Sequence, residues 1–328
     1  MRIFINGFGR IGRSVLRAYL QTPDRWPGVE VVGINDIATP EMCAYLFEFD
    51  SVFGPWRGAV ALEAEALVID GQRIPLHRVA DISSLDLRGV DLVMECTGRA
   101  DGREMAARGA RAGAARVLVS GPSNAADYTV VLGANEAGLL PSHRIISNAS
   151  CTTNALAPLV ALIEAEWGVV TGSMTTIHCY TGSQPTVDAP AADFARSRAA
   201  AISMVPTTTS AQRLLDHVLP DLAGRIEGSA VRVPVASVSA VDLAVMTARP
   251  ATVDAVNAAF RAAGGVIGAT DKALVSTDLR ARRESIVMAC PETRITRGGM
   301  LRVFGWYDNE WGFSNRMLDM AMILGRMA

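Results

Sequence analysis

The run Ser147-Asn148-Ala149-Ser150-Cys151-Thr152-Thr153-Asn154 is where this chain offers a nucleophile. Ser150 has the side chain of a helix N-cap, so Cys151 should lie in the first turn of the following helix, where the helix dipole favours a thiolate. A free thiol, with pKa about 8.5, is barely ionised at neutral pH. A helix end supplies roughly 1 kcal/mol, less than one pKa unit, so a second group must help. His178, closing the strand Met174–Ile177, is the candidate base. From thiol and imidazole alone two readings stand side by side: a nucleophile with its base, or a structural thiol near a satisfied core histidine. Cys179 faces away from His178 and reads as packing, and Cys43, Cys96 and Cys290 sit in apolar surroundings. His77, His143 and His217 have no ligand-like spacing and no C-x-x-C occurs, so no metal site or dithiol motif is expected.

A second motif implies a cofactor. Gly7-Phe8-Gly9-Arg10-Ile11-Gly12 is a G-x-G-x-x-G between an apolar strand and a helix. Glycines there allow a tight turn, close approach of backbone to a pyrophosphate, and helix–strand packing. The helix N-terminus then presents free N–H groups to the phosphates. Asp36 follows the next strand, where an acid accepts from ribose hydroxyls and repels a 2′-phosphate, so NAD is expected rather than NADP. Cys96-Thr97-Gly98 and Ser120-Gly121-Pro122 end later strands, at the edge where such sheets bind ligands.

These groups need a scaffold. Over the first half, short apolar strands alternate with helical stretches: strands at Arg2–Asn6, Val29–Asn35, Asp91–Glu95 and Val117–Ser120, helices at Gly9–Gln21, Glu41–Phe49 and Arg103–Ala112, then apolar runs at Thr129–Gly133 and Arg144–Ser147. That pattern predicts an α/β Rossmann domain, a doubly wound parallel sheet. From Cys151 the texture changes. A helix to about Trp167 is followed by strands at Ser173–His178, Gly228–Pro234 and Ser237–Thr247, with helices near Ala211–Val218 and Val253–Ala263. This predicts an α+β domain on a largely antiparallel sheet. Between Tyr180 and Arg198 lies a long loop, the kind that is usually functional or disordered.

The 328 residues suit two domains, and half of them are hydrophobic, enough for a sizeable core. A net charge of −2 argues against a general grip on nucleic acid. Lys272 is the one lysine, so arginine carries any anion site. Five cysteines without a framework suit a reducing compartment. With no signal-like start and no run long enough to cross a bilayer, a cytoplasmic protein that does not meet a membrane is expected.

Asn6 to Arg13, Ser147 to Asn154, Arg232-Val233-Pro234 and Trp306-Tyr307-Asp308-Asn309-Glu310-Trp311-Gly312 together resemble glyceraldehyde-3-phosphate dehydrogenase, the phosphorylating NAD-dependent family, over essentially the whole chain. The resemblance implies an NAD-binding domain at 1–150 with a final helix, 315–328, returning to it, a catalytic domain at 151–314, and a homotetramer. It implies that Cys151 attacks the aldehyde to give a thiohemiacetal, that His178 takes the proton, and that phosphate releases the resulting thioester as an acyl phosphate. Thr181 and Arg232 would hold the substrate phosphate. Arg198, Ser150, Thr152, Thr209 and Ser210 would surround the attacking phosphate. Gly7, Gly9, Arg10, Ile11, Gly12, Asp36, Arg78, Thr97, Ser120 and Asn315 match cofactor-contacting positions. Read without the resemblance, Arg198 and Arg232 are equally solvated surface arginines, and Thr207–Thr209 is equally a helix-capping turn.

The sequence departs from the family in places. Ala155 stands where a second cysteine is usual, Ser210 where glycine is usual, and Pro185 where lysine or asparagine is common, in a loop that looks slightly short; Pro190 goes with NAD preference. Pro185 and the short loop resemble erythrose-4-phosphate dehydrogenase, which hydrolyses the thioester, while Thr181 matches the phosphorylating enzyme. The reading from another class is an idle NAD-binding scaffold, against which Cys151 and His178 both speak.

Overall fold

The structure is a computed structural model that describes residues 1–191 and 193–327. Ala192, within the loop segment Asp188 to Arg198, and Ala328, the last residue of the expected 315–328 helix, lie outside the described residues. The chain divides into two compact units. One holds Met1–Val130, Ala137–Ala149 and the chain from Ser314; the other holds Val131–Glu136 and Ser150–Phe313.

The first unit is built on β1 (Arg2–Asn6), β2 (Glu30–Asn35), β3 (Val60–Glu63), β4 (Ala66–Ile69), β5 (Gln72–His77), β6 (Leu92–Glu95), β7 (Arg116–Val119), β8 (Tyr128–Thr129) and β9 (Ile145–Ser147). Their order is β3-β4-β5-β2-β1-β6-β7-β9-β8. From β5 to β8 neighbours are parallel, and β3–β4 and β4–β5 are antiparallel. Ile3 to Asn6 and all of β6 and β7 are buried, as strands covered on both faces must be. After β1 the chain builds outward through β2 and returns to pair β6 on the other side of β1, so the carboxyl ends of β1 and β6 flank a topological switch point. Helices α1 (Arg10–Gln21) and α2 (Pro40–Glu48) follow β1 and β2. The helix expected at Arg103–Ala112 is two short pieces, α3 (Arg103–Ala106) and α4 (Arg108–Arg111), parted at Ala107 (ψ −3°). Of the expected run Thr129–Gly133, Thr129 alone pairs as strand among the described residues, as the end of Tyr128–Thr129.

In the second unit, β10 (Val169–Cys179), β11 (Val205–Thr207), β12 (Ile226–Val233), β13 (Ser239–Thr247), β14 (Ile267–Thr270), β15 (Ile286–Ala289), β16 (Arg294–Ile295) and β17 (Met300–Tyr307) form a mixed sheet. Its order is β11-β12-β10-β13-β17-β15-β14, with β16 also on β17. Among the described residues β10–β12 and β14–β15 are the parallel pairs. Register decides the site: His178 pairs with Arg232 across β10–β12, and Ser239 pairs with Tyr307 across β13–β17. One face is buried, with Met174, Thr176 and His178 alternating inward on β10 and Leu301, Val303, Gly305 and Tyr307 on β17. Against this sheet pack α5 (Cys151–Trp167) and α6 (Ala211–Val218); α7 (Val253–Ala263) also belongs to this unit, whereas α8 (Trp311–Arg326) belongs from Ser314 onward to the first. Among the described residues, 180–191 and 193–204 are loop, broken by one short 3-10 turn, Ala195–Ser197.

Candidate active site

Cys151 is the first residue of α5, and Ser150 caps it: the Ser150 Oγ accepts from the Thr153 N–H at 3.1 Å. The preceding Ala149 is fully buried at φ +55°, a left-handed conformation that costs an L-residue roughly 1–2 kcal/mol. Packing holds this residue in its strained turn, between the end of β9 and the helix that carries the thiol.

The Cys151 Sγ lies 3.6 Å from the His178 Nε2. The His178 Nδ1–H donates to the Cys179 carbonyl at 2.7 Å, which leaves the Nε2 lone pair facing the sulfur. Arg232 Nη1 also donates to the Cys179 carbonyl, at 3.0 Å, and to the Thr181 Oγ1, at 3.2 Å. Burial and the Arg232 cation push the imidazole down to about 4. Burial raises the Cys151 thiol, opposed by hydrogen bonds from the Thr152 hydroxyl and amide and by Arg232. Each shift is the cost of one charge alone in a buried place. A thiolate and an imidazolium side by side carry no net charge, so a proton moving along the Sγ–Nε2 line escapes both costs. Burial pushes Cys96 and Cys179 up to about 12 and Cys43 up to about 11, without a facing imidazole.

Around the pair is a cavity of about 380 Å³. Ser150, Thr152, Thr209, Ser210 and Arg232 line it with Cys151 and His178, and so does Arg196. Thr181 joins through its bond to Arg232. Arg198 does not line the cavity: it pairs with Asp188 of its own loop at 2.7 Å and is largely exposed. Arg196, two residues earlier, takes the place that sequence reading gave to Arg198, braced by the Thr207 Oγ1 at 2.5 Å and the Thr208 Oγ1 at 2.9 Å. Thr209 Oγ1 accepts from the Ala211 N–H at 3.1 Å, so it caps α6 and lines the cavity together, while the N-terminal residue Ser210 makes no side-chain cap. The Thr152 hydroxyl is turned to the Tyr307 Oη, at 2.8 Å, rather than standing open. Among the described lining residues there are two guanidinium groups and no carboxylate. Such a cavity suits a substrate that brings its own negative charge.

The first unit has a cleft of about 260 Å³ at the carboxyl ends of β1, β2 and β6. Gly7, Gly9, Asp36 and Thr97 line it. Gly7 sits at φ +92°, where a Cβ would meet the Cys96–Thr97 peptide at 2.7 Å, and a Cβ on Gly12 would meet the Gly7 oxygen at 2.1 Å. A Cβ on Gly9 would meet nothing within 4 Å: there the backbone is open to an approaching ligand. Arg10, Ile11 and Gly12 form the first turn of α1, whose N–H groups have no helical acceptors. Asp36 accepts from the Phe8 N–H at 2.6 Å and the Ala38 N–H at 2.9 Å, and is fixed with acceptor capacity to spare. Arg78 is exposed and donates from Nε to the Ile37 carbonyl at 3.2 Å, beside the cleft. Ser120 and Asn315 are not among its lining residues; Ser120 follows β7 and Asn315 is buried in α8. Arg99 and Arg108 line it and were not foreseen. An open glycine turn, the N–H groups of a helix start and a carboxylate one strand away fit a dinucleotide. Among the described residues no cluster of three or more His, Cys, Asp or Glu could hold a metal, and no helix is long and apolar enough to cross a membrane.

Comparison with known proteins agrees with this division of labour. The model of the glyceraldehyde 3-phosphate dehydrogenase NAD binding domain matches residues 1–103, and that of the C-terminal domain matches residues 150–309. By class the chain is an NAD-dependent oxidoreductase. It is 45% identical to glyceraldehyde-3-phosphate dehydrogenase of Cereibacter sphaeroides over 332 residues, covering 100% of this chain and 99% of the relative. The Pseudomonas aeruginosa enzyme of that name is 46% identical, covering 99% and 98%, and the Geobacillus stearothermophilus one 42%, covering 98% and 97%. The chain belongs to the glyceraldehyde-3-phosphate dehydrogenase family.

Proposed function

We propose that this protein oxidises glyceraldehyde 3-phosphate with NAD and inorganic phosphate to 1,3-bisphosphoglycerate. The observation that carries the reading is the thiol–imidazole pair, 3.6 Å apart, in a cavity whose described lining has two guanidiniums and no carboxylate. The full-length relatives that bear the name support it.

In this reading the Cys151 sulfur bonds to the aldehyde carbon as its proton passes to the His178 Nε2. The imidazolium returns that proton to the new oxyanion, which the Cys151 N–H at the helix start also meets, giving a thiohemiacetal beside a neutral His178. NAD, when bound, supplies the hydride acceptor. His178 takes the hydroxyl proton as the carbon is oxidised, which leaves an acyl group on the sulfur as a thioester. Phosphate attacks the acyl carbon, the C–S bond breaks, and the sulfur regains a proton. Arg232 and Thr181 hold the substrate phosphate. Ser150, Thr152, Thr209 and Ser210 border the attacking phosphate, with Arg196 in the role first given to Arg198. Gly7, Gly9, Arg10, Ile11, Gly12, Asp36, Arg78, Thr97, Ser120 and Asn315 serve the cofactor. The NAD-binding domain is 1–150 with the helix 315–328, and the catalytic domain is 151–314. The protein is read as a cytoplasmic homotetramer: its five free cysteines suit a reducing compartment, and Val187, Phe194, Ile202 and Met204 expose apolar surface on the 180–204 loop.

NADH formation is measured with glyceraldehyde 3-phosphate or erythrose 4-phosphate, each with and without inorganic phosphate. The three-carbon substrate should win, with turnover dependent on phosphate. Equal rates without phosphate would reject the phosphorylating assignment.

A further inference from the structure

Tyr307, at the end of β17, is 2% exposed and makes two hydrogen bonds. Its Oη lies 2.8 Å from the Thr152 Oγ1 and 2.8 Å from the Thr176 Oγ1. Both partners are themselves buried, at 4% and 1% exposure, so water does not compete for these bonds. A tyrosine satisfied in a core is unremarked in most proteins; the addresses of its partners set this one apart. Thr152 follows Cys151 on α5, and Thr176 lies two residues before His178 on the same inward face of β10. The tyrosine ring also stands edge-on to the imidazole, with centroids 6.1 Å apart and planes at 79°.

We propose that Tyr307 is a positioning residue for the thiol–imidazole pair: its hydroxyl, gripped by Thr152 and Thr176, sets where Cys151 and His178 meet and turns the Thr152 proton toward the sulfur. A phenol has one proton to give. When Thr176 donates to the Oη, Tyr307 donates to the Thr152 Oγ1, and the Thr152 proton is left for the neighbouring sulfur, whose thiol the Thr152 hydroxyl draws down against the effect of burial. The chain of donors then runs Thr176, Tyr307, Thr152, sulfur, each bond polarising the next in a dry setting. The opposite sense would spend the Thr152 proton on Tyr307 and offer the thiolate only lone pairs. His178 and Cys179 from β10, Arg232 from β12 and Arg196 from the loop are the other titratable or charged groups around the sulfur.

The inference rests on Cys151 and His178 as the reacting pair, and the test separates the two. Tyr307→Phe keeps the ring and removes both bonds. Turnover, NAD binding by protein fluorescence, and the pH profile of Cys151 alkylation by iodoacetamide are compared with the parent enzyme. Expected are a kcat lower by about tenfold or more, a KM for the aldehyde and NAD binding within about twofold, and an alkylation midpoint raised by about one pH unit. Thr176→Val, which removes the outer bond, should move both readouts the same way by less, and the double variant should be no worse than Tyr307→Phe. Unchanged kcat and an unchanged alkylation profile in Tyr307→Phe would overturn the inference, whatever happens to Tm. Should Tyr307→Phe not fold, Thr176→Val decides by the same two readouts. A Cys151→Ser enzyme that still turns over would instead defeat the underlying reading.

Discussion

His178 holds its place by giving one ring proton away: Nδ1–H is committed to the Cys179 carbonyl, so Nε2 alone addresses the sulfur. Without that imidazole, burial acts on the Cys151 thiol unopposed by a base. A raised thiol keeps its proton to higher pH, so the thiolate of His178→Asn should form only in the alkaline range. Alkylation of Cys151 in that variant should be at least about tenfold slower at pH 7 and climb steadily above pH 9. A variant alkylated as fast as the parent at pH 7 would show that the imidazole does not activate the sulfur. Residue type and local pattern left thiol and imidazole balanced between a reacting pair and core packing, and the resemblance favoured the pair; their 3.6 Å approach depends on tertiary packing. The cationic partner was less legible still. Arg196 and Arg198 stand two apart in a loop without periodicity, and which one faces the cavity depends on Asp188 engaging Arg198. Tyr307 was visible only as part of the run Trp306 to Gly312; its reach to Thr152 spans 155 positions of chain, which no local pattern encodes.

At the scale of elements, those with strong local instructions were read well. The β1–turn–α1 unit announces itself through an apolar strand, three glycines and an amphipathic helix, and α5, α6 and α7 carry clear boundaries. The meander β3–β5 was passed over although its signal is present. Asp70 (φ 49°) and Gly71 (φ 83°) make the two-residue turn with both centres left-handed that joins β4 to β5. Strands β14 to β17 were missed for another reason. The central one, β17, pairs with β13, Ser239 opposite Tyr307, and alternates buried and half-exposed residues whose partner strand no local reading supplies. The single helix expected at Arg103–Ala112 fits its composition, and nothing in the structure explains why the chain parts at Ala107.

At the scale of the whole molecule, the chain carries its cofactor turn on one compact unit and its thiol on another, and the family comparisons divide along the same motifs. The proposed homotetramer would cover the exposed Val187, Phe194, Ile202 and Met204. Native mass measurement should give four times the 34.8 kDa of the chain, and a monomer at working concentration would contradict the proposed assembly. The account as a whole requires that oxidation and acyl transfer meet on one sulfur. Full-length protein mixed with NAD and glyceraldehyde 3-phosphate, without inorganic phosphate, is quenched in acid and mapped by peptide mass. The prediction is an acyl group on the Cys151 peptide, close to one per chain, formed together with an equal amount of NADH and discharged when phosphate is added. NADH produced with no adduct on that peptide, or an adduct on any other cysteine, would contradict it.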